Sequence, residues 1–388
     1  MLKTTNKLKY VMVALAIFGF TSCSDGTDEP TPIVETPLRA KIEYPTLAAT
    51  TSYTTPFVDA SAKSTVDLSN GNNRYKMFQA LNSYMSSSIS GLKPIDATVL
   101  KNMFANTGSA FADSTKLNAS GVQLRSTVAT SWPTADADAV RANFETTFGQ
   151  LAEASKSVGA VGAPGKAGKI GNYLVTAQGI EPSQVIQKSL IGALQYDYIA
   201  NVLLTKGLDA DNKAVVSGKP YTQLEQNWDE AYGLLTLNPV YLAGSTDDKR
   251  GTTEFALGSY IWEYNKASYA KIYPAFLKGR AAIVNNDKTE LKAQADFIKA
   301  EMEKAIAGAA VGYLGKYLTA TTDAARVHAM GEGLGFIYSL RFLNVNGGTA
   351  AFSDGLLVGL VGTAGGVWDL TPAKINTASE AIKAKFKL

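Results

Sequence analysis

The chain contains one cysteine, Cys23, among its 388 residues. A single cysteine cannot form a disulfide within the chain, and it cannot supply the several thiolates of a structural zinc site. The fold must therefore be stabilised by burial of apolar side chains. Hydrophobic residues make up 46% of the sequence, which is ordinary for a globular protein. The chain is thus long and apolar enough for one large domain or two smaller ones.

Cys23 follows a segment with the features of a bacterial export signal. Three lysines precede an apolar run, Tyr10–Phe20, which is shorter than the roughly 20 residues that a membrane-spanning helix needs. Small residues then stand directly before the cysteine, as in a lipoprotein signal. We predict that residues 1–22 are a signal peptide and that Cys23 is the lipidation site. The alternative is a plain secretory signal with an incidental cysteine.

The segment that follows, residues 23–51, is polar and contains four prolines. This composition is typical of an extended linker, so we expect a lipidated flexible tether before a folded domain over 52–388. The early acids Asp25, Asp28 and Glu29 resemble the export signals of some lipoproteins. We therefore expect an outer-membrane lipoprotein on the periplasmic or cell-surface face. Its partners would be the membrane, through the lipid anchor, and an outer-membrane transport or surface protein.

The charge balance excludes one class of partner. The whole chain has 37 basic and 34 acidic residues, and residues 1–22 contain three lysines and no acid. The mature chain would therefore carry 34 of each sign. Nucleic-acid binding requires a basic surface that neutralises phosphates, and this sequence has no excess of basic residues, so we expect no nucleic-acid partner.

Apolar residues recur at helical spacing along most of the folded part. In the first such segment Met77, Phe78 and Leu81 fall on one face, and Thr222 with Glu225 forms a capping box that opens a later helix. The predicted helical segments are 72–89, 136–158, 182–206, 222–235, 259–285 with a break near Pro274, 287–318, 322–344 and a last helix from residue 371.

Little of the sequence alternates with the period of a β-strand. The best strand candidates are 122–128 and 351–360, and the glycine-rich residues 159–171 are predicted to form a flexible loop. Long helices with short connections favour antiparallel helix bundles. We predict an all-α fold with little β structure, built as one bundle or as two packed bundles that divide near residues 159–180.

The helix predicted over 322–344 contains His328, the only histidine of the chain, and Glu332 four residues later. Both side chains project from nearly the same face, and the rest of the segment is apolar almost all round, which indicates a buried helix. Burial of an imidazole and a carboxylate is costly unless they are paired or bind something. Together they can supply two ligands to a divalent or ferric metal ion.

A second candidate segment lies on the helix that the capping box opens. Trp228 would face inward, with Asp229 and Glu230 beside it. If this helix packs against the His328 helix, Asp229, Glu230, His328 and Glu332 could form one metal site for iron or another divalent metal.

Two further side chains complete the candidate ligand-binding set. Arg74 would be an anion partner, and Trp228 would contact the ligand. The alternative is a structural role, in which Asp229 and Glu230 are solvated or form a polar network with Arg326 or Arg341. No residue is predicted to be catalytic.

Three stretches carry a family resemblance. They are Asn72–Met77, Gln226–Leu234 and His328–Leu340, and together they resemble an uncharacterised bacterial lipoprotein family, the domain of unknown function 4856. The chain is also similar, more loosely, to imelysin-like iron-regulated proteins. That second resemblance implies an exported protein of two helical bundles linked to iron uptake. Imelysin-like proteins carry the motif G-x-H-x-x-E, whereas here the acid stands one residue further on.

These observations lead to two expectations of different kinds. The first is an envelope-anchored, non-enzymatic binding protein for iron or another metal-containing nutrient. The second is a structural lipoprotein that binds glycans or a protein partner through an aromatic cluster. That cluster would consist of Tyr260, Trp262, Tyr264, Tyr269 and Tyr273. A hydrolase is least favoured, because one histidine and no further cysteine leave few arrangements for acid–base chemistry.

Overall fold

The computed structural model describes residues 38–111, 114–235 and 254–388. Within these ranges the chain forms thirteen α-helices and one two-stranded sheet, which confirms the predicted all-α class. The helices are α1 Ser69–Ser90, α2 Ala97–Ala105, α3 Thr115–Asn118, α4 Leu124–Thr127, α5 Thr134–Ser155, α6 Pro182–Leu190, α7 Gln223–Leu235, α8 Leu257–Tyr264, α9 Lys266–Val284, α10 Lys288–Thr319, α11 Asp323–Ser339, α12 Ala350–Val361 and α13 Pro372–Phe386. The predicted signal peptide and Cys23 lie outside the described residues.

Local sequence signals explain where several helices begin. The capping box before α7 is formed as predicted: the Glu225 amide donates to Thr222 Oγ1 over 3.1 Å, and the Thr222 amide donates to Glu225 Oε2 over 2.8 Å. The Asp287 side chain caps α10, and the Thr322 side chain caps α11. Each cap satisfies a backbone N–H that the first turn leaves without a partner.

Helix α6 continues without interruption into a π-helix, Ile191–Leu203. Pro182 occupies the first turn of α6, where its missing N–H costs nothing. A π-helix of this length is rare, and the apolar pattern does not distinguish it from an α-helix. The predicted helix over 182–206 is therefore present, but most of it has wider turns.

Helix α10 is the longest of the described helices, at 32 residues. It packs against α8, α9, α11 and α13, while α11 packs against α6 on another side. Residues 38–388 form one compact unit. Buried residues from both sides of the segment 159–180, such as Phe148 and Phe336, belong to one hydrophobic core.

The β structure differs from the sequence prediction. Strands β1, Gly168–Ile170, and β2, Tyr173–Val175, form an antiparallel hairpin in which Lys169 pairs with Leu174. The hairpin thus begins within the stretch predicted as a flexible loop. The two strand candidates were wrong, because 122–128 contains α4 and 351–360 lies in α12. Short apolar runs carry no periodicity strong enough to separate the two structures.

Two further boundaries differ from expectation. The break predicted near Pro274 falls instead at Asn265, between α8 and α9, and Pro274 lies inside a continuous α9. Asn265 is anchored there by a hydrogen bond from Nδ2 to the Glu301 carbonyl, 3.0 Å long. None of the described helices is long and apolar enough to cross a membrane.

The segment that precedes α1 is bound to the helices. The sequence predicts a flexible tether through residue 51, whereas Arg39 Nε donates to Glu225 Oε1 over 2.8 Å. The Ile42 amide donates to Asn285 Oδ1 over 2.9 Å, and the Tyr44 hydroxyl donates to Asp287 over the same distance. The described part of the predicted tether, 38–51, therefore belongs to the folded domain.

Candidate functional site

The His328 region is built on a close approach of α6 and α11. A Cβ atom at Gly331 would lie 2.8 Å from Glu181 Cβ, and one at Gly335 would lie 2.6 Å from Lys188 Cβ. Real Cβ atoms essentially never lie this close, so a side chain at either position would force the two segments apart. The glycines of α11 therefore bring Glu181 and Lys188 against the face that carries His328.

His328 is held by three neighbours. Its Nδ1 lies 2.9 Å from Glu181 Oε2, and its Nε2 lies 3.8 Å from Glu332 Oε1. The ring of Tyr173, on β2, stacks on the imidazole with centroids 4.0 Å apart. The His328 side chain remains 27% exposed, while Glu181 and Glu332 are buried. This histidine is thus partly open to solvent, at the edge of the core.

Lys188 supplies the second positive group of this cluster. Its Nζ lies 3.1 Å from Glu332 Oε1, and its side chain is only 6% exposed. Tyr260 faces the ammonium, whose Nζ is 5.2 Å from the ring centroid. Glu332 thus has a lysine on one side and the imidazole on the other. A protonated His328 and Lys188 would balance the two carboxylates.

The pKa values follow from this arrangement. Burial alone would lower the pKa of His328, but the hydrogen bond and charge of Glu181, together with the charge of Glu332, outweigh burial and raise it. Burial raises the pKa of Glu181, against the opposing effect of His328. Burial also lowers the pKa of Lys188, which Glu332 opposes. A raised His328 pKa favours imidazolium, which has no lone pair for a metal ion.

Asp229 lies in a different network, around Arg280. Arg280 is fully buried, and it donates from Nη1 to Glu225 Oε1 over 2.9 Å and from Nε to Asp229 Oδ1 over 3.0 Å. The Tyr53 hydroxyl also donates to Asp229 Oδ1, over 2.9 Å. Burial raises the pKa of Asp229 to about 6, although the charge of Arg280 opposes this shift. Glu225 and Asp229 are therefore partners of a guanidinium inside the core.

Glu230 and Trp228 are also engaged within the protein. Arg74 pairs with Glu230 through Nη1 and donates from Nε to Thr127 Oγ1 over 2.8 Å. Its guanidinium carbon lies 5.0 Å from the centroid of the Tyr198 ring. Trp228 is completely buried and donates from its indole nitrogen to the Phe276 carbonyl over 2.9 Å. Arg74 is thus the counterion of Glu230, and Trp228 is a core residue.

The predicted quartet is consequently divided between two places. His328 and Glu332 share the cluster with Glu181 and Lys188, whereas Asp229 and Glu230 are bound by arginines. Among the described residues, no group of three or more His, Cys, Asp or Glu side chains is placed to hold a metal ion.

The arginines that pair with the three acids of α7 are not Arg326 or Arg341, the two that the sequence suggested. Arg326 pairs with Asp323, and Arg341 pairs with Asp354. The acids of α7 are instead paired with Arg39, Arg74 and Arg280. Of these three, sequence analysis had named only Arg74.

The aromatic cluster considered for glycan binding is mostly core. Tyr260, Trp262, Tyr269 and Tyr273 are all less than 9% exposed. Tyr260 packs edge-on against Phe336 of α11, with ring centroids 4.6 Å apart. These four side chains therefore offer no open aromatic face to a glycan, and Tyr264 is half-buried.

A cleft that sequence analysis missed lies between α5, α6, α11 and α12. Its volume is about 750 Å³, within the range of about 300–1,000 Å³ typical of small-molecule sites. Polar side chains of α5 enter it from Asp136, Asn143, Thr147 and Gln150. Their spacing of seven, four and three residues is helical, and this polar stripe is the signal that could have revealed the cleft. The opposite walls contain apolar side chains such as Val185 and Leu357, together with Arg341 and Asp354.

The far wall of the cleft contains Arg341 and Tyr338. Arg341 Nη2 donates to Asp354 Oδ1 over 2.6 Å and to Ser353 Oγ over 3.1 Å, and its guanidinium lies 3.6 Å from the Tyr338 ring centroid. Trp132 lines the entrance and packs on Phe342, with ring centroids 4.8 Å apart. The cleft thus combines two aromatic rings with a neutralised guanidinium.

Comparison with known families identifies the chain. The model of the family described as "Domain of unknown function (DUF4856)" matches residues 54–388. The chain belongs to this family. The DUF4856 match runs from before α1 to the last residue, and so includes the His328 cluster, the cleft, and Arg280 with its two carboxylate partners, whereas Arg39 and Tyr53 precede it. Neither the search of curated proteins nor the search of solved structures found a match.

Proposed function

We propose that this DUF4856 protein is a non-enzymatic binding protein, held at the bacterial envelope by a lipid on Cys23, with its ligand in the cleft between α5 and α12. The observation that carries the proposal is the cleft of about 750 Å³, lined by apolar walls and a few convergent polar groups. Such a cavity is the usual form of a small-molecule site. The buried acids of α7, in contrast, are already occupied by arginines.

The envelope assignment rests on the first residues of the sequence. The lysine-rich start, the apolar run and the position of Cys23 support export and lipidation. Metabolic labelling with an alkyne-tagged fatty acid tests this part. We expect label on the wild-type chain in the outer-membrane fraction, and no label on Cys23→Ala. Equal labelling of both chains would overturn it.

The binding assignment is tested by blocking the cleft. Ala139 is exposed and lines the cleft, so Ala139→Trp would fill it without disturbing the core. Ala142→Trp, on the same helix but outside the lining, is the matched control. Native mass spectrometry of protein purified from its host should show a bound small molecule in the wild type and the control, and none in Ala139→Trp. A molecule retained by the wild type and by both variants would show that the ligand binds outside the cleft.

Iron or another metal-containing nutrient is the second candidate ligand. The contact of the His328 imidazole with the Glu181 carboxylate favours it, as does the resemblance to imelysin-like proteins. Metal binding there would require His328 to lose its proton and Lys188 to move from Glu332. Elemental analysis of purified wild type and His328→Ala tests it: metal at about one ion per chain, lost in the variant, would support this candidate. Equal trace amounts of metal in the wild type and in His328→Ala would reject the metal candidate.

A further inference from the structure

The cleft contains hydrogen-bonding groups that the described part of the protein leaves without partners. Gln150 and Gln178 are exposed at its rim, and neither side-chain amide has a hydrogen bond to another described residue. The Asp136 carboxylate and the indole N–H of Trp132 also have no hydrogen bond to another described residue. Each amide offers both donors and an acceptor, and the carboxylate can accept two hydrogen bonds. Adjacent hydroxyl groups of one ligand match this set, because each hydroxyl both donates and accepts.

The remaining lining suits the carbon face of such a ligand. Trp132 is half-buried and presents its indole ring, and the half-buried Val185 and Leu357 add aliphatic surface. Aromatic faces carry negative charge density and attract the slightly positive hydrogens of C–H groups. A ligand that has hydroxyl groups at its edges and C–H groups on its faces would satisfy both kinds of wall. Saccharides have this amphipathic form.

The charges of the cleft argue against an ionic ligand. Its lining contains no lysine or histidine, and its one guanidinium, Arg341, is paired with Asp354. Asp136 adds a further negative charge, so a phosphate or a polyanion would be repelled. Cationic ligands would find one unpaired carboxylate at an exposed position, where attraction is weak. A neutral ligand avoids both difficulties.

We infer that the cleft between α5, α6, α11 and α12 is a saccharide site that takes neutral, hydroxyl-rich sugar units. The inference rests on the proposed function and names its ligand class. The ring of one sugar would lie against Trp132, while Gln150, Gln178 and Asp136 bind hydroxyl groups at the rim. Arg341 would remain the counterion of Asp354 and donate from Nη1, for which the described residues provide no acceptor.

The test uses the mature chain and probes of defined chemistry. Isothermal titration would compare three neutral trisaccharides (maltotriose, cellotriose and chitotriose) with trigalacturonate, trilysine and triglutamate. We expect at least one neutral trisaccharide to bind the wild type and Ala142→Trp equally. Ala139→Trp should weaken binding at least tenfold. Gln150→Ala, which removes hydrogen bonds at the rim, should weaken it about fivefold. Thermal unfolding of each variant confirms that it is folded.

The outcomes separate this inference from the function on which it rests. If a charged probe binds in a manner that Ala139→Trp abolishes, and no neutral sugar does, the saccharide class is overturned while the cleft remains the binding site. If a neutral sugar binds and Ala139→Trp has no effect, the site is elsewhere and the inference fails. If no probe binds and no molecule is retained from the host, both the ligand class and the proposed function are rejected.

Discussion

The Arg280 network and the His328 cluster place buried carboxylates in two different settings. Arg280 is fully buried and holds Glu225 and Asp229 by direct hydrogen bonds, so that both charges are neutralised in the core. His328 is 27% exposed and contacts Glu181 at the edge of the core. The two settings look alike in the sequence, as acids on apolar helices. The comparison shows that burial of an acid reveals the presence of a partner but not its kind.

The largest expected effect on stability comes from removing the guanidinium of Arg280. Arg280→Met leaves Asp229 buried without a counterion, and loss of one member of a buried ion pair costs about 3–5 kcal/mol. We expect the free energy of unfolding in urea to fall by about that amount. Arg326→Met, which removes an exposed pair with Asp323, is the control and should cost less than about 1 kcal/mol. Equal losses in the two variants would contradict the assignment.

The second effect concerns the helix contact that builds the His328 cluster. Gly331→Ala forces a Cβ to within 2.8 Å of Glu181 Cβ, and overpacking of this kind costs about 1–3 kcal/mol. Gly315→Ala, on α10 with open space around it, should instead stabilise by up to about 1 kcal/mol. Urea unfolding of both variants measures the difference. A stabilising Gly331→Ala would show that α6 and α11 are not in contact there.

The third effect depends on pH and is smaller. The folded-state pKa of His328 is raised above 6.5, so its pairing stabilises the fold fully below pH 6.5 and less as the pH rises through that pKa. His328 faces Glu181 and Glu332, which favour its protonation, and Lys188, which opposes it. We expect His328→Gln to cost about 1–2 kcal/mol at pH 6 and clearly less at pH 9.

The control for this pH comparison is Glu380→Gln, which alters an exposed pair with Lys383. It should unfold like the wild type at both pH values, because an exposed pair contributes little. A cost of His328→Gln that does not change between pH 6 and pH 9, or that grows, would contradict the raised pKa.

The sequence predicted the helices well because their signals are local. Spacing of Met77, Phe78 and Leu81 marked α1, and Thr222 with Glu225 marked the start of α7 within one turn of chain. Such signals depend only on neighbours three or four residues apart. The short hairpin and the π-helix were missed, because neither has a period that differs clearly from its alternatives.

The partners of the acids could not be predicted, because they are distant in sequence. Arg280 stands about fifty residues after Asp229, and Arg39 reaches Glu225 from a segment that resembles a tether. No spacing rule connects such positions. The sequence did identify three of the buried acids, Asp229, Glu230 and Glu332, together with Arg74, but not Glu181. It could not show that two sets of acids would be neutralised separately.

The central claim is that the acids of α7 and α11 serve the fold and that ligands bind in the cleft. Thermal unfolding of the mature protein with a chelator, with zinc and with ferric citrate tests it most directly. For each protein, wild type and His328→Ala, we predict that the melting temperatures under the three conditions agree within about one degree. Specific binding at 100 times the dissociation constant would stabilise the fold by about 2.7 kcal/mol. A rise of several degrees in the wild type that His328→Ala abolishes would contradict the claim.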